Sequence, residues 1–91
     1  MKKRLIARII GKVQGVLFRD FIQKKAYSLN ISGTVENKED RSIYVIAEGD
    51  EIDLQQLIVY LHKGPFHARV MDVGVTWSED TGEFSDFEIL Y

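Results

Sequence analysis

KRLIARIIGKVQGVLFRDFIQKKAYSL, residues 3–29, changes its period part-way along, and that change decides the fold. From Lys3 to Val13 the side chains alternate. Leu5, Ala7, Ile9 and Val13 share one face, while Ile6 and Ile10 lie on the other, which is the two-residue period of a strand. Apolar residues on both faces predict a central strand. From Asp20 to Leu29 the spacing becomes helical, with Phe18, Ile22, Ala26 and Leu29 on one stripe. Asp20 sits near the positive end of that helix, and Asn30, Ser32 and Gly33 break it.

The same reading carries through the rest of the chain. Thr34 to Asn37 is a short second strand, and Lys38-Glu39-Asp40-Arg41 is a polar turn. Arg41 to Glu48 is a third strand, with Ile43, Val45 and Ala47 opposite Tyr44 and Ile46. Asp50 is the expected N-cap of a second helix, with Glu51 and Asp53 in its first turn. Leu54, Leu57, Ile58 and Leu61 form its buried stripe, and Lys63-Gly64-Pro65 ends it. Ala68 to Trp77 is a fourth strand, with Val70 on one face and Met71, Val73 and Val75 on the other. Phe84 to Tyr91 is a last strand carrying Phe87, Ile89 and Tyr91. The order β-α-β-β-α-β plus one strand predicts an α+β, ferredoxin-like sandwich, a single domain over residues 1–91. Its antiparallel sheet should carry both helices on one face and a short extra C-terminal strand. In that topology strands one and two run parallel with strand three between them. Their carboxyl ends share one sheet edge, so the loop after Val13 should meet Asn37.

The bulk properties narrow the function. The 91 residues are 45% apolar and contain no cysteine, which excludes disulfides, thiol catalysis and a cysteine-based zinc site. The formal net charge of −2 argues against a duplex nucleic-acid binder. Met1-Lys2-Lys3-Arg4 followed by Leu5 to Ile10 imitates the start of a signal peptide, but Arg8 and Lys12 interrupt the apolar run. No stretch approaches the roughly 18 apolar residues of a membrane span. The expectation is a cytoplasmic monomer with no membrane or nucleic-acid partner.

The loop Gly11-Lys12-Val13-Gln14-Gly15-Val16-Leu17-Phe18-Arg19 joins a strand to a helix. Gly15 allows consecutive N–H groups to turn into one concavity, and such a nest beside a helix N-terminus suits an anion. Arg19 adds a planar fork that matches phosphate oxygens in pairs. Neither nucleotide-binding glycine pattern is present. On these residues alone, Gly15 as a simple turn and Arg19 as a solvated helix residue fit equally well.

The string Gly-x-Val-Gln-Gly-Val-x-Phe-Arg resembles the signature of the acylphosphatase family. Gly33-Thr34-Val35-Glu36-Asn37, Ala47-Glu48-Gly49, Gly64-Pro65-x-x-Ala68-Arg69-Val70 and the Phe-x-x-Phe-Glu-Ile-x-Tyr ending extend the resemblance over essentially the whole chain. The resemblance implies the ferredoxin-like fold and hydrolysis of the carboxyl–phosphate bond of small acyl phosphates. The products are a carboxylate and inorganic phosphate, formed by direct attack of water without metal or cofactor. It implies that Arg19 and the loop Gln14, Gly15, Val16, Leu17 and Phe18 bind the phosphoryl group, and that Asn37 holds the attacking water. Inorganic phosphate or sulfate should then compete. The chemistry suits the residues: a carboxylate leaves readily, so positioning and charge stabilisation suffice.

Thr34 stands where the family usually has an aromatic residue, and Glu36 where a basic one is common. Arg41 fills a turn position often occupied by glycine, which predicts a longer or looser hairpin. Alternation should turn Glu36 away from Asn37. Neither His62 nor His67 has a partner that suggests catalysis, and Trp77 and Tyr91 read as core or edge packing. The competing function is a non-catalytic anion-binding module of the same fold. An RNA-binding domain is disfavoured because Ile43-Tyr44-Val45-Ile46-Ala47 lacks paired exposed aromatics.

Overall fold

A computed structural model describes residues 1–91. The elements are β1 (Lys2–Lys12), α1 (Phe18–Ser28), β2 (Ser32–Asn37), β3 (Ile43–Asp50), α2 (Glu51–Lys63), β4 (Arg69–Glu79) and β5 (Phe87–Leu90). They build one sheet in the order β4-β1-β3-β2-β5. β3 lies between β1 and β2, as the split β-α-β order requires. One expectation fails: the sheet is mixed, because β5 pairs parallel to β2 while every other pair is antiparallel. The cause is connectivity. The chain leaves β4 at one edge, crosses the sheet and joins β2 at the opposite edge, so it enters running in the direction of β2. No helix is long and apolar enough to cross a membrane.

The core lies between one sheet face and the helices. Leu5, Ala7 and Ile9 of β1, Val35 of β2 and Ile43, Val45 and Ala47 of β3 meet Phe18, Ile22 and Ala26 of α1 and Leu54, Leu57 and Leu61 of α2. Leu29 and Ile58 only flank this cluster. Of the two readings offered for Trp77 and Tyr91, core or edge packing, the core one fails: Trp77, on edge strand β4, is 40% exposed and Tyr91 is 99% exposed.

β4 departs from simple alternation. Ile10 pairs with Asp72 but Gly11 with Val70, which leaves Met71 as an extra residue. This bulge turns Val70 to the same side as Val73 and Val75, against the core, and leaves Met71 81% exposed. Gly11 makes it possible: its φ is 140°, and a Cβ there would lie 2.1 Å from the Arg69 carbonyl oxygen.

The β2–β3 hairpin is long, as Arg41 in its turn predicted, but β3 begins at Ile43 and not at Arg41. Arg41 has a φ of 74°, a left-handed conformation that interrupts an extended strand. The hairpin is nonetheless tight. The Lys38 N–H donates to Ser42 O at 2.9 Å, and Arg41 N–H to Lys38 O at 3.1 Å. Asp40 Oδ1 accepts both the Ser42 N–H at 3.0 Å and its hydroxyl at 2.6 Å. These two Ser42 donors, with Arg8 adding its charge, hold the Asp40 carboxyl below the usual carboxylate range against a small opposing effect of burial.

At the opposite end of the sheet a buried carboxylate anchors the crossing loop. Glu48 is 5% exposed. It accepts the Thr81 N–H and hydroxyl, both at 2.9 Å, and the Gly82 N–H at 3.1 Å. Arg4 lies 3.4 Å from it and also pairs with Glu83 at 2.8 Å. Burial alone would raise the Glu48 carboxyl, but these donors and the Arg4 charge outweigh it and leave the group below its ordinary value.

Candidate active site

The carboxyl ends of β1, β2 and β5 meet at one sheet edge, around a cavity of about 390 Å³. The loop after β1 forms one wall through Gln14, Gly15, Leu17 and Phe18. Arg19 and Asp20 enter from the first turn of α1, Asn37 from the end of β2, and Ile89 and Tyr91 from the β5 side. Val16 is the one loop residue from Gln14 to Arg19 that does not line the cavity; its side chain packs on the core instead.

The loop backbone explains the cavity's polarity. Gly15 has a φ of 74° and Leu17 a φ of 62°. Two left-handed residues separated by one other fold the chain into a nest. Phe18, 1% exposed, fastens the loop to the core. The first helical donor with a protein acceptor is the Phe21 N–H, at 3.0 Å from Leu17 O. No protein group accepts the N–H groups from Gly15 to Asp20, the orphan donors expected at a helix start. The positive end of α1 adds to the same field.

Arg19 is held from the side. Its guanidinium lies 4.9 Å from the Tyr91 ring centroid, and Nη1 donates to the Leu90 carbonyl at 3.4 Å. Asn37 lies in the strand register on the same side as buried Val35, and Oδ1 is buried with no protein donor. Glu36 points away from it and pairs with Lys38, as alternation requires.

Gln14 has a different place from the one the sequence suggested. Its Nε2 donates to Lys38 O and to Ser42 O, each at 3.0 Å. Both amide hydrogens are thereby used, so the side chain ties the loop to the β2–β3 turn and only the main chain of Gln14 is left to meet an anion. Asp20, within the cavity, is paired with Lys24 at 3.1 Å.

The family model for acylphosphatases matches residues 5–89. The chain belongs to the acylphosphatase family. An acylphosphatase of Salinibacter ruber is 43% identical over 97% of this chain and 93% of its own length. One of Deinococcus radiodurans is 48% identical over 87% of this chain and 91% of its own. The crystal structure of the Bacillus subtilis acylphosphatase superposes with a TM-score of 0.92 at 34% identity, covering all of both chains. As a member of the acylphosphatase family, the chain hydrolyses acyl phosphates.

Four lining residues were not foreseen in the sequence: Val13, Asp20, Ile89 and Tyr91, of which Val13 was read only as a strand residue. Ile89 belongs to β5, whose parallel pairing was not foreseen, and Tyr91 follows directly after it; Glu36 pairs with Leu90, so one step further sets Tyr91 beside Asn37. Asp20 was read only as a helix-dipole residue. The signal for Tyr91 was its alternation with Phe87 and Ile89, once β5 is set next to β2.

Proposed function

We propose that the cavity is the catalytic site, with Arg19 and the amides of Gly15 to Phe18 binding the phosphoryl group and Asn37 orienting water. The observation that carries the reading is the convergence of three things in one cavity: unpaired amides, a fixed guanidinium and a buried carboxamide oxygen without a protein donor. The guanidinium offers two parallel donors to two phosphoryl oxygens, and the amides meet the third. Asn37 Oδ1 accepts one hydrogen of the water and aims its lone pair at phosphorus, opposite the acyl oxygen. The water oxygen bonds to phosphorus and the P–O bond to the acyl group breaks. The carboxylate leaves with the bonding pair, and a water proton passes to a phosphoryl oxygen. The products are a carboxylate and dihydrogen phosphate, with no general base required. Charge spreading over the equatorial oxygens is met by donors already in place.

The same reading assigns the role of competing ligand to inorganic phosphate and sulfate, which present the same oxygens. It takes the enzyme as a cytoplasmic, metal-independent monomer made of one domain over residues 1–91. Phosphate release from acetyl phosphate, followed with and without chelator, tests it. Turnover should persist in chelator and be inhibited competitively by phosphate. Arg19→Gln should lower kcat/KM by at least about a thousandfold and abolish that inhibition. A variant that keeps wild-type phosphate inhibition would overturn the assignment of Arg19.

A further inference from the structure

The phosphoryl half of the cavity is polar, but much of the remaining lining is not. Leu17, Ile89 and Tyr91 form an apolar wall beside Arg19. Leu17 is the notable member. It is 79% exposed and holds a φ of 62°, a combination for which glycine or asparagine would be the economical choice. Neither packing nor backbone geometry accounts for a leucine there, and it is a position that the loop signature leaves open. Tyr91 is 99% exposed with one ring face against the Arg19 guanidinium. Ile89, half-buried, continues the wall toward the core. Asp20, the one carboxylate side chain in the lining, is paired with Lys24, and Arg19 is the one cation there, so nothing in the lining receives a second negative charge on the ligand.

We infer that this wall reads the acyl group, and that the enzyme favours neutral, apolar acyl phosphates over short or anionic ones. The inference rests on the site proposed above. The phosphoryl group docks in the nest, and the acyl chain leaves the Arg19 side along Leu17 and Tyr91. These contacts are made equally in the ground state and the transition state, so they lower KM and leave kcat nearly constant.

A homologous series of acetyl, propionyl, butyryl and hexanoyl phosphates tests this, because leaving-group reactivity hardly changes along it. Succinyl phosphate supplies the anionic arm. KM should fall about two- to fourfold per methylene until the wall is covered. Succinyl phosphate should have a higher KM than butyryl phosphate. In Leu17→Ala the hexanoyl-to-acetyl ratio of kcat/KM should drop about three- to tenfold. Ile89→Ala should act in the same direction, and the exposed position of Leu17 keeps the first variant folded. A flat KM along the series, with acetyl phosphate turned over normally, overturns the inference and leaves the site intact. An unchanged ratio in Leu17→Ala overturns it too. No turnover of any member overturns the site itself, and the wall's role with it.

Discussion

Replacing Gln14 with alanine removes both bonds that tie the anion loop to the β2–β3 turn. Each is worth about 0.5–1.5 kcal/mol net. The lower part of that range applies, because neither carbonyl is left bare: Lys38 O still accepts the Arg41 N–H, and Ser42 O still accepts the Lys38 N–H. The expected loss is about 1–2 kcal/mol, or a fall in Tm of about 5–10 °C for a chain of this size. The effect on rate should be larger in proportion. The tie fixes the nest relative to Asn37, and a displacement near 1 Å in reacting geometry costs about a hundredfold. A kcat/KM reduced about 10- to 100-fold is expected. Gln14→Glu should fare worse, since a carboxylate would face two carbonyl oxygens. Thermal unfolding followed by circular dichroism, together with acetyl phosphate kinetics, reads both quantities. A Gln14→Ala protein with unchanged Tm and a weakened phosphate inhibition constant would mean that the side chain touches the anion, and would refute the tie.

Asn37→Ala should lower kcat by about two to three orders of magnitude while phosphate inhibition stays within about threefold, because the proposed site assigns the water and the phosphoryl group to different residues; full activity would remove Asn37 from the mechanism. The Glu48 carboxyl is held below its unfolded value, so the unfolded chain binds the extra proton. Its stabilising contribution is present above the ordinary carboxylate range and is lost as pH falls through the folded-state value. Urea midpoints between about pH 6 and pH 3 should fall in the wild type, and the acid limb should be shallower in Glu48→Gln. Arg41→Gly should stabilise by about 0.5–1 kcal/mol by relieving the left-handed backbone, less the greater freedom of glycine when unfolded; a lower urea midpoint would show that Arg41 makes a compensating contact.

The sequence made the element order legible because period is a strong signal where it persists. Leu5, Ala7 and Ile9 and the stripe Leu54, Leu57 and Leu61 are buried as read. The meeting of the loop with Asn37 followed from topology alone, because parallel neighbours of a shared strand must end at one edge. What stayed hidden depended on single residues acting against the local pattern. Met71 broke the alternation of β4 through a bulge that only the pairing partner reveals. Arg41 and Leu17 adopt left-handed conformations that their side chains do not announce. Gln14 spends its amide on carbonyls distant in sequence, and Tyr91 reaches Arg19 from just beyond a strand whose direction was not foreseen.

β5 is only Phe87–Leu90, bordered by one neighbouring strand and secured on its helix side where Gln23 and Tyr27 donate to Phe87 O. It is also the element against which the Arg19 guanidinium rests. With Arg19 in its proposed role, anion affinity and the integrity of this outermost strand are linked thermodynamically, and the linkage is reciprocal. Whatever peels the strand from its neighbour weakens the grip on phosphate by the same factor that phosphate, once gripped, resists the peeling.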